Sequence, residues 1–348
     1  MILGSKSNHS FVLVAIFFLS FLSLPALSAP VAAQSTDLIE GAKKEGQLVY
    51  YTGMEASQAN TFASEFAKKY PFIKPEIFRA TGEKVLTKYL TEARAKAFRA
   101  DVFQTSVIQV SQLKDEHLTQ KYVSPESQAY PDGFKDREGE WTAFYLIPYV
   151  IAYNTNLVPS SEAPKSYEDL LNPKWKGKLG LEPQDYQWFL HLLKIMGKEK
   201  GLEFMKSLAQ QDIQLRDGHG LLLDLTTAGE IALCVVCYSN DIEFQRRTKG
   251  IPVDWVRFKG PTIAAINAIS VTAKAPHPNA AKLFVDFSLS KEGQALLTKF
   301  SRVPARPDVP ADPPVLTQGL HLYPARPEEM VANYKEIVAQ FRQIFKVP

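Results

Sequence analysis

From Leu48 onward the chain alternates short apolar runs with amphipathic stretches. Leu48-Val49-Tyr50-Tyr51-Thr52 reads as a β-strand. After it, Ala59, Phe62, Ala63, Phe66, Ala67 and Tyr70 recur at spacings that fit one face of a helix. Glu76 to Arg79 predicts a second strand, and beyond Ala80-Thr81-Gly82 a second helix carries Val85, Leu86, Tyr89, Leu90 and Ala93 on one side. Asp101 to Ser106 is a third strand that closes on hydroxyl residues. This βαβαβ order predicts a parallel sheet with helices packed on it. The middle of the chain repeats the logic. Tyr149–Tyr153 predicts a strand, Pro164–Leu171 a proline-led helix, Lys178–Glu182 a strand, and a helix begins about Asp185. Ile213–Arg216 and Ile231–Val236 are further strands. The apolar stretch Thr262–Thr272 precedes a helix opening near Pro278, with Leu283, Phe284 and Phe287 inward. No Gly/Ser linker separates the halves, so the pattern predicts a two-lobed α/β protein with short connections.

The N-terminus has a different character. Lys6 precedes an apolar run from Phe11 to Leu24, and Val31-Ala32-Ala33 satisfies the small-x-small rule for cleavage before Gln34. That run is about 14 residues, short of the roughly 20 that span a bilayer. Residues 1–33 are therefore expected to be a signal peptide cut near Ala33, leaving a soluble secreted chain. The remaining length is too great for one hydrophobic core by default.

A net charge of +3 with no basic run or aromatic-basic stripe argues against a nucleic-acid partner. The two cysteines, Cys234 and Cys237, lie inside an apolar stretch rather than at a turn. Along an extended strand, residues three apart span roughly 10 Å and point to opposite faces, which favours two buried structural thiols over a redox or metal pair. Catalysis is not expected. The chain has no G-x-S-x-G elbow, no H-E-x-x-H and no Walker loop, and His117, His191, His219, His277 and His321 are scattered.

In an open α/β sheet, ligands sit beyond the carboxyl ends of the strands, where helix N-termini present backbone N–H groups. That rule selects Thr52, Gly53, Met54 and Glu55, then Thr81, Gly82 and Glu83, then Thr105 and Ser106 in the first half. In the second half it selects Gln184, Asp185 and Tyr186, the run from Arg216 to Gly220, and Tyr238, Ser239 and Asn240. Each has a plainer role open to it: glycines in turns, Thr81 or Ser106 as helix caps, Arg216 as a surface charge, His219 facing solvent. Trp188 and Phe189 read as helix core.

Several segments, in order, resemble the extracellular solute-binding proteins of ABC importers, in the branch of ferric-iron, thiamine, polyamine, phosphonate and sugar-phosphate binders. They include Ala100-Asp101-Val102-Phe103, Ile147-Pro148-Tyr149 with Tyr153-Asn154, and Asp169-Leu170-Leu171-Asn172-Pro173-Lys174-Trp175-Lys176-Gly177-Lys178. Ala228-Gly229-Glu230-Ile231-Ala232, His277-Pro278-Asn279-Ala280-Ala281 and Ser290-Lys291-Glu292-Gly293-Gln294 extend the match.

The resemblance implies a two-lobed periplasmic-binding-protein fold, each lobe a mainly parallel sheet flanked by helices, with hinge strands between. Lobe one is expected at 36–147 with a return segment at 264–303, and lobe two at 151–260. C-terminal helices in 307–348 are expected to pack on lobe two. It also implies a periplasmic monomer that takes no cofactor and hands a small ligand to an inner-membrane permease. A sensor docking on a receptor kinase is the rival role. Ferric binders of this branch present adjacent tyrosines where this chain has Cys237-Tyr238. Iron would therefore be left with Glu83 and Tyr238, and a small anion such as an organic phosphate, phosphonate or carboxylate is the expected ligand.

Overall fold

The computed structural model describes Met1 and residues 36–347. The expected signal peptide and its cleavage point fall outside the described residues. The chain opens with α1 (Thr36–Glu45), β1 (Gln47–Thr52), α2 (Ala56–Lys69), β2 (Lys74–Arg79), α3 (Gly82–Arg94), β3 (Val102–Ser106) and α4 (Val107–Asp115). A short β4 (Thr119–Gln120) precedes the long β5 (Thr142–Asn154). There follow β6 (Leu179–Leu181), α5 (Tyr186–Met196), α6 (Lys198–Ala209), β7 (Gln214–Leu215) and α7 (His219–Ala228). Next come β8 (Leu233–Tyr238), α8 (Ser239–Lys249) and β9 (Val253–Trp255). The chain returns through β10 (Pro261–Thr272), α9 (Pro278–Leu289), α10 (Lys291–Thr298) and β11 (Val303–Pro304), and ends with β12 (His321–Ala325) and α11 (Pro327–Phe345).

The strands follow the order β2-β1-β3-β10-β5-β8-β6-β7. β2, β1 and β3 run parallel at one end, and β8, β6 and β7 run parallel at the other. β5 joins the two. Residues Thr142 to Pro148 pair antiparallel with β10, and Tyr149 to Tyr153 pair antiparallel with β8. The partner changes at Pro148, which has no N–H to donate to a ladder.

Two main apolar cores follow from this division. The first gathers Tyr50, Phe62, Phe66 and Phe284 under the β1–β3 sheet. The second gathers Trp188, Phe189 and Phe204, and α11 adds Ile337, Phe341 and Phe345 to it. Ala311 and Leu316, by contrast, pack in the first core. Among the described residues, no helix is long and apolar enough to cross a membrane.

Two expectations need correction. The segment Pro164–Leu171 is not a proline-led α-helix; only Glu168–Leu171 turns, as a 3₁₀ helix. The Asp169 carboxylate accepts from the backbone N–H groups of Lys165 and Ser166 at 2.7 and 3.1 Å. Such local side-chain bonding competes with helix geometry. Cys234 and Cys237 are not separate thiols but a disulfide, with their Cα atoms 6.0 Å apart. Val150 faces Cys237 while Ala152 faces Cys234, so β8 carries one more residue than β5 between the pairs. That bulge turns two side chains three positions apart toward the same face, where Val150 and Ala152 cover them.

Candidate functional site

The tips of the first sheet meet. β1 ends on the fully buried Thr52, whose hydroxyl bonds the Gln104 side chain and accepts from Met54 N–H at 2.9 Å. A Cβ at Gly53 would stand 3.6 Å from Thr105 Cγ2 and 3.8 Å from Gly82 Cα, so the starts of α2, α3 and α4 converge. At Gly82 a Cβ would press on Gln109 Oε1 at 2.5 Å, so a larger residue there would displace the Gln109 amide from this tip.

Much of the polar side-chain capacity here is spent locally. Glu55 caps α2 through Ser57 and Gln58 N–H, and Ser106 caps α4 through Ile108 N–H at 3.4 Å. Thr105 Oγ1 reaches the Ser106 carbonyl at 3.4 Å. Thr81 is exposed and makes no side-chain cap bond. Glu83 accepts from Gln109 Nε2 at 2.8 Å, which leaves the buried Gln109 Oε1 without a partner.

The second sheet's tips form a denser cluster. Glu182 follows β6 and accepts from Gln184 N–H at 2.6 Å. Asp185 precedes α5, and His219 opens α7 with its Nε2 3.2 Å from Asp185 Oδ1. Tyr238, at the end of β8, lies between two rings. Tyr149 stacks on it at 5.6 Å and 15°, and His219 sits 4.0 Å away. Ser239 and Asn240 are fully buried in the first turn of α8, and Ser239 Oγ and Asn240 Oδ1 have no hydrogen-bond partner. Tyr186 does not face this cluster; it packs edge-on against Phe341 at 5.2 Å.

Two sequence expectations change here. Arg216 is exposed, and its guanidinium is spent on the Leu215 carbonyl and the Gln214 side chain at 2.8 and 3.1 Å. His219 does not face solvent but is turned into the acidic pair. The carboxylates acting most strongly on Tyr238 are Asp185, Asp241 and Glu182.

The cation that sequence reasoning missed is Arg302. It is 7% exposed, donates from Nε to Gln58 Oε1 at 3.1 Å, and approaches Asp241 at 3.5 Å with its guanidinium over the Tyr145 ring. Glu55 from the first wall and Tyr238 from the second both act on its charge. Arg302 thus ties the two sets of strand tips together. A surface cavity of about 1030 Å³ lined by Lys114, Asp136, Trp141 and Arg326 shares no residue with them.

The acidic cluster sets a pH dependence. Burial, then the Asp185 charge, pushes Glu182 up to about 7, with Asp217 adding to the rise. Burial also raises Asp185. His219 is lowered by burial but raised more by Asp185 and Glu182, so its net shift is upward. Each folded-state value therefore lies above its unfolded one, and the folded protein binds more protons. For Glu182 the associated stability is fully present below about pH 4.5 and is lost as pH rises through about 7. Thermal melts of the ligand-free protein should fall between about pH 5.5 and about pH 8, and Glu182→Gln should flatten that slope. A melting temperature that rises across this interval contradicts the assignment.

Two α/β sheets joined by long shared strands, with buried polar tips facing each other, define a cleft-type ligand-binding protein. The chain belongs to the bacterial extracellular solute-binding protein family, whose model matches residues 100–320. It is a solute-binding protein of the ABC-importer type. Among similar proteins is the putative 2-aminoethylphosphonate-binding periplasmic protein of Salmonella typhimurium, 26% identical over 66% of this chain and 70% of that one. The major ferric iron-binding protein of Neisseria meningitidis is 25% identical over 51% of this chain and 54% of its own, so this chain spans about half of that relative. The periplasmic binding protein AfuA from Actinobacillus pleuropneumoniae, solved with exogenous fructose-6-phosphate bound, has the same two-lobed fold. It superposes with a TM-score of 0.74 over 87% of this chain and 99% of that one, at 22% identity.

Proposed function

We propose that this chain acts in the periplasm, captures a small organic anion of the phosphonate, phosphate or carboxylate class between its lobes, and delivers it to an ABC permease. The lobes would be 36–147 with 264–303, and 151–260 with α11. The observation that carries the reading is Ser239 Oγ, a fully buried hydroxyl donor without a protein partner at the tip of β8. Gln109 Oε1 and Asn240 Oδ1 are also unpartnered but only accept, so they suit a hydroxyl or amine of the ligand rather than its anionic oxygens. Native structures satisfy buried polar groups, so a buried donor left unpaired at a strand tip calls for a partner, which a bound ligand supplies. The N-termini of α3, α4 and α8 add backbone donors suited to an anion, and Arg302 adds a buried positive charge.

Closure would be a hinge about β5 and β10, stabilised by contacts that exist only when both walls meet the ligand. No catalytic step is assigned to these residues. Native mass spectrometry of the purified protein tests the reading. A co-purified phosphonate, phosphate or carboxylate is expected, whereas a bound polyamine, with no anion binding in calorimetry, sinks it.

A further inference from the structure

An anion site does not account for Glu182, Asp185 and His219. Their donor atoms all lie within 4.8 Å of one another. His219 Nδ1 stands 3.2 Å from the Val236 carbonyl oxygen, which can only accept, so Nδ1 carries a proton and Nε2 is presented to the carboxylates. A metal-binding histidine is oriented in this way, by donating its other N–H to a carbonyl or carboxylate.

A second observation points the same way. Asp185 is 5% exposed, and its buried Oδ2 has no hydrogen-bond partner. A carboxylate oxygen shielded from water and left unpaired is costly. Spacing separates the possible occupants. Metal–ligand bonds of about 2.0–2.2 Å place tetrahedral neighbours roughly 3.4 Å apart. An ammonium hydrogen-bonded to both atoms at roughly 2.9 Å would hold them about 4.7 Å apart. At 3.2 Å, His219 Nε2 and Asp185 Oδ1 pair directly when the ring is protonated and are spaced to share a metal ion when it is not, whereas a bridging ammonium would need them farther apart.

We propose that Glu182, Asp185 and His219 bind a divalent first-row metal ion on the lobe-two wall. One imidazole nitrogen with two carboxylate oxygens suits the zinc or manganese class, and it differs from a phenolate iron site. Three protein ligands leave a fourth position open. An anion oxygen would fill it, a step that rests on the anion reading above and resolves why an acidic wall serves an anionic ligand.

The test is calorimetric titration of zinc chloride into the mature protein after treatment with a chelator. One zinc per chain is expected, with affinity lowered at least tenfold by His219→Ala and by the near-isosteric Asp185→Asn. Circular dichroism of each variant checks folding. Cobalt(II) titration of the wild type gives a visible absorption band if a histidine–carboxylate site forms, and this arm needs no variant. If His219 is only the counter-ion of the two acids, zinc does not bind and the cobalt band is absent, which overturns the proposal. Zinc bound equally well by both variants also overturns it, as does binding of ethylammonium in place of zinc. Inorganic phosphate titrated with and without zinc separates the two readings. Zinc bound with no gain in phosphate affinity keeps the metal site and removes the anion from it.

Discussion

Replacing Arg302 with alanine should weaken anion capture by about a hundredfold, or roughly 2.7 kcal/mol. The side chain is buried and reaches both walls, with Nε on Gln58 of α2 and a terminal nitrogen 3.5 Å from Asp241 of α8. Asp241 is 38% exposed, so that ion pair is discounted for solvent screening and contributes little by itself. The expected loss comes from the buried charge facing the anion, since a hydrogen bond to a charged group contributes about 1.5–3 kcal/mol. Lysine should not restore it. An ammonium is a point charge and cannot hold Gln58, Asp241 and the Tyr145 face together as a planar fork does. Calorimetry with inorganic phosphate, and with whatever ligand co-purifies, gives the ratio of affinities. An affinity within about threefold of wild type would remove Arg302 from the site, because so small a change is under about 0.7 kcal/mol.

Arg302 also shows where sequence reading stops. The tips of β1, β2 and β3 were legible because a strand end and the helix that follows are local features, marked by Thr52-Gly53, Thr81-Gly82 and Thr105-Ser106. Arg302 stands at the entrance to a two-residue strand, far along the chain from Thr52, and only the pairing of β11 with β5 brings it between the lobes. The disulfide was hidden for a related reason. Cys234 and Cys237 share a face only because β8 bulges against β5, and a bulge belongs to a pair of strands rather than to one. Glu182 offered a signal that could have been used. An acid directly after Gly180-Leu181, with Asp185 three positions on, places two carboxylates at one strand tip, where burial raises both. His219 needed the third dimension, since its own turn, Gly218-His219-Gly220, resembles an exposed loop. The local hydrogen bonds that use up Glu55 and Ser106 were likewise visible only in place.

Phe284→Ala separates stability from binding. Phe284 is fully buried on α9, with ring centroids 4.8 Å from Tyr50, 5.0 Å from Phe66 and 5.9 Å from Phe62. Its neighbours come from β1 and α2, and Tyr50 is fixed by a 2.8 Å bond from its hydroxyl to Gln104 Oε1. Elements held from several directions collapse poorly into a cavity, so the cost should fall in the upper range for Phe→Ala, about 3–5 kcal/mol. The rings packed on Phe284, those of Tyr50, Phe62 and Phe66, are core side chains rather than strand-tip groups. The folded fraction should therefore bind its ligand within about threefold of wild type, under about 0.7 kcal/mol. Arg302→Ala reverses the pattern, with a large loss of affinity and a smaller loss of stability. Urea unfolding and calorimetry on both variants give the four numbers. If Phe284→Ala lowers affinity more than about tenfold, or about 1.4 kcal/mol, the lobe-one core is coupled to the cleft and the two-wall description of the site fails.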